Sequence, residues 1–323
     1  MIVFSDLHLS EESSEVVLGK ILPGIFEATS EFRDPVVACL GDFWDIRYKI
    51  DVSLLNAVRD ELLRWTRNGI KFLFLPGNHD QVDVQGRNAL EVFDNLGNGS
   101  RVYTDPCFDA YGLWIPYRKY RKDLVAALAA HNPKDSPSTL FLHTGIESAW
   151  MNDNVRDTTG IPFSMLDGFD RILSGHYHKR QTIGKVTFVG SPRQVTANES
   201  GQDKGFAILE EKSLRFVDRH WGKRFHRIRL EEGESLDLSK FQPGDDVRVS
   251  AAVGVDPSIL GSQLSSLGIQ HVVTPDVPVT ECRLQVAPDS DLRDFALGYV
   301  DLIKTKSKLD KSRLIEYFDR FAQ

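Results

Sequence analysis

Short apolar runs that break off at a polar loop recur through the first half of the chain. Residues 1–5, 36–40 and 72–75 end in Ser5-Asp6, Gly41-Asp42 and Pro76-Gly77-Asn78, the pattern of a buried strand meeting a loop. Between them, residues 13–28 and 53–67 have helical spacing, with Leu54, Leu55, Val58, Leu62 and Trp65 recurring at steps of three and four. This alternation predicts β-α-β-α-β, with parallel pairing and helices on the sheet faces. Two later runs, 139–142 and 171–173, end at His143 and at Ser174-Gly175-His176. Alternating runs at 180–190, 205–210, 214–219 and 224–229 predict antiparallel strands, so the expected core is a two-sheet sandwich flanked by helices. The acidic stretch from Glu231 to Gly244 has the composition of a linker. Beyond it the pattern predicts strands at 246–253, 270–274 and 279–286 and helices near 257–266, 289–305 and 309–322. The chain thus divides into a large domain over 1–230, a linker over 231–245 and a small α/β domain over 246–323.

Composition adds little beyond a folded, globular class: 41% of the 323 residues are hydrophobic and 26% charged. The start, MIVFSDLHLS, lacks the basic region and long apolar run of a secretory signal, and no segment approaches the roughly 20 apolar residues that span a bilayer. Cys39, Cys107 and Cys282 are far apart with no C-x-x-C pair, which argues against disulfides or thiolate metal sites. A cytoplasmic protein (in the host cytoplasm if the source is viral), without membrane contact, is the expectation. A net charge of −7 speaks against binding nucleic acid by bulk electrostatics, but the charge is uneven. Residues 117–122 (Tyr-Arg-Lys-Tyr-Arg-Lys) interleave cations with aromatics, and the stretch from Arg215 to Arg229 carries Arg219, Lys223, Arg224 and Arg227.

The chemistry lies at the strand ends. Asp6 and His8, Asp42, Asn78 with His79, His143, and His176 with His178 each follow an apolar run. In open α/β sheets such loops converge outside the carboxyl ends of the strands. Asp6, His8, Asp42, Asn78, His143, His176 and His178 are too many donors for one ion, and a carboxylate such as Asp42 can bridge two. Carboxylate, imidazole and amide donors without sulfur suit manganese, zinc or iron better than magnesium or calcium; two divalent ions, manganese foremost, are expected. Paired ions of this kind activate water for in-line attack at phosphorus. His79 is placed to protonate the leaving oxygen, with Asp80 a candidate to orient its ring.

These residues also carry a resemblance. Asp6-Leu7-His8, Gly41-Asp42, Gly77-Asn78-His79-Asp80, His143 and Gly175-His176-Tyr177-His178 resemble the five-block signature of the calcineurin-like metallophosphoesterases. The resemblance implies an α/β (α+β) four-layer sandwich, two mixed sheets flanked by helices, with a small carboxyl-terminal α/β cap. It implies that Asp6, His8, Asp42 and His178 hold one metal, that Asp42, Asn78, His143 and His176 hold the other, and that His79 is the proton donor. Gly190-Ser191-Pro192 and Lys204-Gly205-Phe206 are similar to blocks of the SbcD-type DNA repair nucleases and their phage recombination counterparts. That branch implies DNA as substrate, cleavage as exonuclease or endonuclease, a homodimer through helices near 53–67 and 86–96, and an SMC-like coiled-coil ATPase as partner in repair or recombination. A helix over 309–321, with Leu314, Ile315, Tyr317, Phe318 and Phe321, is the candidate segment for docking the ATPase. One departure is Asp45, where SbcD-type enzymes usually carry a histidine tied to exonuclease action.

Other readings compete. A small-molecule phosphodiesterase or phosphatase fits the same metal set, although Asp42-Phe43-Trp44-Asp45-Ile46-Arg47 lacks the Asp-Arg-Gly of protein phosphatases, and lipid-precursor hydrolases carry arginine where His79 stands. A catalytically dead scaffold would have lost ligands, and none is missing.

Overall fold

The computed structural model describes residues 1–275 apart from 46–48, 84, 131–138, 154, 212 and 253. In chain order its first elements are β1 (Ile2–Phe4), α1 (Ser14–Val16), α2 (Leu22–Ala28), β2 (Val36–Cys39), α3 (Val52–Arg67) and β3 (Lys71–Phe74). There follow β4 (Arg101–Val102), β5 (Cys107–Phe108), β6 (Leu113–Ile115), α4 (Arg121–Ala130), β7 (Thr139–His143) and β8 (Arg171–Gly175). The last are β9 (Gln181–Ile183), β10 (Val186–Phe188), β11 (Gly205–Leu209), β12 (Leu214–Asp218), β13 (Phe225–Leu230), β14 (Asp246–Ala251), α5 (Pro257–Ser266) and β15 (Gln270–Pro275).

Two six-stranded sheets form the body, ordered β12-β11-β1-β2-β3-β4 and β5-β6-β7-β8-β10-β9. Both are mixed: β1, β2, β3 and β4 run parallel while β11 pairs antiparallel to β1, and β6, β7, β8 and β10 run parallel while β5 and β9 are antiparallel edges. Side chains alternate between faces with the period-two geometry of a strand. Ile2 and Phe4, Val37 and Cys39, and Phe72 and Phe74 face the helical layer with Val58, Leu62 and Trp65 of α3. Their neighbours Val3, Ala38 and Leu73 face the second sheet and meet Trp114, Phe141 and Leu173. Leu113, Leu140, Leu142 and Ile172 turn outward to Leu124 and Leu128 of α4. Three apolar seams therefore hold four layers, α-β-β-α.

The helix predicted over 53–67 is α3. Asp51 caps it by accepting from the Leu54 N–H (2.9 Å), and it ends at Asn68 before Gly69, whose φ of +83° suits glycine. The helix predicted over 86–96 is absent. That stretch is turns around one 3₁₀ turn (Glu91–Phe93): Asn88 and Glu91 cap its start by accepting the Leu90 and Asn88 N–H groups, and Asn95, in left-handed φ, ends it after a single turn. Leu90 and Phe93 from it are buried in the core of the first sheet. The stretch 231–245 is not an extended linker: Phe241 and Asp245 are buried, and Asp245 accepts from the N–H groups of Arg224 and Gln242. Strand β13 pairs in parallel with β14, so a division at residue 230 falls inside a third sheet, ordered β13-β14-β15. Its core is Leu230, Val247, Val249, Leu260, Leu264 and Ile269. The strand predicted at 279–286 and the helices at 289–305 and 309–322 lie outside the described residues, as does Cys282.

Trp65 is fully buried between Phe26 and Phe72 (centroids 5.4 and 4.9 Å), and its indole N–H donates to Glu61 (2.7 Å). Trp65→Ala should cost about 3–5 kcal/mol, the range for truncating a buried aromatic, measured as a lower urea midpoint.

Candidate metal centre

The loops after β1, β2, β3, β7 and β8 meet at the carboxyl edge of both sheets. Loops 5–9 and 41–45 run side by side, with Asp6, His8 and Leu9 N–H groups donating to the carbonyls of Gly41, Asp42 and Phe43 (2.9, 3.0 and 2.9 Å). His143 is the last residue of β7, and His176 follows β8 directly. All seven expected donors come together here. Ligand-type atoms of Asp6, His8 and His178 form one group within 4.8 Å of one another, and those of Asp42, His143 and His176 form a second. Asn78 Oδ1 lies 3.1 Å from His143 Nε2 and 2.9 Å from His176 Nδ1, in the second group. Asp42 Oδ2 faces both groups, 3.3 Å from His143 Nε2 and 3.9 Å from His8 Nε2, while its Oδ1 accepts from the His79 N–H (2.8 Å).

The backbone pays for this convergence. Asp6, His8, Asp42 and His176 all have positive φ (53°, 46°, 50° and 94°), a region non-glycine residues rarely adopt and one that clusters at functional sites. Gly77 is required by approach: a Cβ there would collide with the Asp42 carboxylate and lie 2.8 Å from the His143 ring.

Three of the four inward imidazoles have their outer nitrogen occupied. Nδ1 of His143 faces the Leu40 carbonyl (2.7 Å), Nδ1 of His8 faces Asp45 Oδ1 (3.1 Å), and Nδ1 of His178 faces Glu199 Oε1 (2.9 Å). An oxygen acceptor holds the proton on Nδ1 and leaves the Nε2 lone pair facing the site, as second partners of metal-bound histidines do. His8 Nε2 and His178 Nε2 then lie 2.9 Å apart with lone pairs converging, an arrangement that calls for a cation or proton between them. The donor set therefore fits two divalent cations.

The electrostatics agree. Burial raises the Asp42 pKa, but the His143 and His8 imidazoles outweigh it and hold the carboxyl well below the usual range. Burial lowers His143, yet Asp42 and Asp6 lift it to about 9. Burial and the charge on His143 push His176 down to about 4. One proton thus serves two imidazoles around Asp42, and a bound cation would displace it.

Asp80 does not orient His79. Its carboxylate is fully buried and accepts the N–H groups of Phe43, Trp44 and Gly77 (3.4, 3.0 and 2.9 Å), while the His79 Nδ1 lies 2.9 Å from the Asp45 carbonyl instead. The His79 ring packs edge-on to His8 (4.7 Å), and its side chain is 37% exposed against 5% for His8, so it borders the space a substrate would enter.

Two residues have supporting roles that the sequence did not assign: Asp45, marked there only as a departure from the SbcD-type pattern, and Glu199, not singled out at all. Asp45 braces His8 through its carboxylate and His79 through its carbonyl. Glu199 braces His178 and forms a buried ion pair with Lys204 (2.6 Å), whose ammonium also donates to the His178 carbonyl (2.8 Å) and Ser191 Oγ (2.9 Å). The Gly-Ser-Pro and Lys-Gly-Phe blocks thus serve as the brace of His178, and the cations around Glu199 hold its carboxyl well below its usual range despite burial.

A model described as calcineurin-like phosphoesterase matches residues 1–180, and the chain belongs to that family. It is a hydrolase acting on phosphoester bonds, in a family that uses divalent metals. Among its relatives, the DNA double-strand break repair protein Mre11 of Saccharolobus solfataricus is 26% identical over 208 residues, 58% of this chain and 53% of that protein. Exonuclease subunit 1 of Enterobacteria phage T4 is 22% identical over 237 residues, 68% of each chain. The chain therefore spans about half the length of the archaeal relative. No helix among the described residues is long and apolar enough to cross a membrane.

Removing the brace of His8 tests the arrangement. Asp45→Ala should weaken Mn²⁺ binding about 10–100-fold, the usual cost of losing a second partner of a metal-bound histidine, with Asp45→Asn losing less; calorimetric titration reads both.

Proposed function

We propose that the chain is a divalent-metal-dependent DNA nuclease subunit, carried above all by the two donor groups that meet at Asp42 Oδ2 with His79 beside them. In this reading Asp6, His8, Asp42 and His178 hold one cation, Asp42, Asn78, His143 and His176 hold the other, and manganese is the working metal. Two such cations, when bound, supply an activated water and charge neutralisation at the phosphate. The protein's part is positional and acid–base. Asp45, Glu199 and the Leu40 carbonyl fix the rings of His8, His178 and His143 through Nδ1, so that each Nε2 is aimed inward where a bound cation would replace any proton it carries. His79, tethered through Nδ1 to the Asp45 carbonyl, carries a proton toward the oxygen that leaves as the P–O bond breaks.

The choice of DNA over a small phosphodiester is supported by the relatives, one named for DNA double-strand break repair and one as an exonuclease subunit. The same reading extends to double-strand break repair or recombination as the process, to an SMC-like coiled-coil ATPase as partner and to a second copy of the chain as dimer mate. With 86–96 folded as turns, the dimer surface we propose centres on α3.

Purified protein with Mn²⁺ should cleave DNA, and EDTA should abolish cleavage until metal is restored. His79→Ala should lower kcat by about 10²–10⁴-fold, the scale of general acid catalysis, with metal affinity retained. Hydrolysis of bis-p-nitrophenyl phosphate with no cleavage of single- or double-stranded DNA would instead favour a small-molecule phosphodiesterase.

A further inference from the structure

Asp45, Glu199 and the Leu40 carbonyl each brace one imidazole of the centre through Nδ1. His176 has no such brace. It turns Nδ1 inward, 2.9 Å from Asn78 Oδ1, and among the described residues no oxygen holds its Nε2. Its backbone is strained as well, at a φ of +94°, with its N–H shared between the two carboxylate oxygens of Asp6 (3.0 and 3.2 Å). A donor in that state needs its ring held by other means.

The next residue supplies them. Tyr177 is 5% exposed, and its ring packs on both His176 and Phe188, with centroids 5.0 Å from each. A phenol buried so deeply needs a partner, and its Oη donates to Asp157 Oδ2 (2.5 Å). Asp157 is buried too, and its two oxygens have separate tasks. Oδ2 takes the phenol, while Oδ1 accepts from Thr159 N (2.7 Å), Thr159 Oγ1 (3.0 Å) and Gly160 N (2.8 Å). The carboxylate is therefore fixed by its own turn where it meets Tyr177. Two glycines make room for the contact. A Cβ on Gly145 would stand 2.5 Å from Asp157 Oδ2 and 2.7 Å from Tyr177 Oη, and one on Gly160 would stand 2.5 Å from the same carboxylate oxygen.

We propose that Tyr177 is a positioning residue for His176, anchored by Asp157, and that its ring does by packing what an oxygen does for the other three imidazoles. The inference rests on the two-cation reading above and concerns the cation assigned there to Asp42, Asn78, His143 and His176. It divides the support of the centre in two. His8 and His178 rely on the carboxylates of Asp45 and Glu199, whereas His176 relies on an aromatic contact anchored at one oxygen. The two supports share no residue, so each can be removed with the other intact.

The test titrates Mn²⁺ into the full chain, counting free ion by EPR, for wild type, Tyr177→Phe, Tyr177→Leu, Asp45→Ala and the Tyr177→Leu/Asp45→Ala double variant. Wild type should bind two ions, with the coupled spectrum of neighbours. Tyr177→Phe keeps the ring and its packing, so it should fold and weaken one ion about two- to tenfold, the range for one lost hydrogen bond. Tyr177→Leu should weaken the same ion further, by about tenfold or more as the ring contact goes too. Asp45→Ala should weaken the other ion, so that each single variant keeps one ion at wild-type affinity and the double variant keeps neither. In the Tyr177 variants the spectrum of an isolated ion should replace the coupled one at limiting Mn²⁺, a signature that a general loss of stability, read separately as the urea midpoint, does not produce. A Tyr177→Phe chain that binds both ions as wild type does, equal weakening of both ions, or a double variant that keeps one ion tightly overturns the inference and leaves the two-cation reading standing. A wild type that binds fewer than two Mn²⁺ overturns both.

Discussion

Asp80 ligates nothing, yet the geometry of the centre hangs on it. Its buried carboxylate accepts N–H groups from two separate loops, Phe43 and Trp44 after β2 and Gly77 after β3. Burial and the nearby charge of Asp42 push its pKa up to about 6. An anion is normally costly in such a place, and three backbone dipoles offset that cost. By tying the loops together Asp80 sets the spacing between Asp42 and Asn78, one reaching toward both donor groups and the other lying in the second.

Around that tie, strain and packing oppose each other. Four donors sit in left-handed backbone, at an order of 1–3 kcal/mol each. Such conformations persist only where the surroundings over-determine them, and here the loops issue from strands buried on both faces. Rigid strands thus let short loops hold donors in positions a free peptide would avoid.

The α-β alternation, α3 and the strand-end donors were legible because each is written in local periodicity: every donor follows a short apolar run. What was not legible depends on distance in the chain. Asp94, extended and accepting the Val102 N–H, and Asn95 in left-handed φ stop a plausible amphipathic helix after one turn, through contacts that an apolar pattern does not register. The pairing of β13 with β14 crosses the acidic stretch that composition marks as a linker. Asp80 stands next to His79 in sequence, but its carboxylate points the other way, toward Trp44 36 positions away. Glu199 lies 21 residues from His178, and only its partnership with Lys204 reveals why a carboxylate is buried there.

The donors divide between the two sheets: Asp6, His8, Asp42 and Asn78 rise from the first, His143, His176 and His178 from the second. Neither half is complete, and the seam of Ala38, Leu73, Phe141 and Leu173 sets their separation. The centre therefore comes into being only when the sandwich closes, so a nascent chain would carry no competent site until its second sheet has docked. Evolutionary drift in that seam is likewise constrained by the geometry of the centre as well as by stability, since a side chain one methylene too large would move one set of donors away from the other with every donor residue still present.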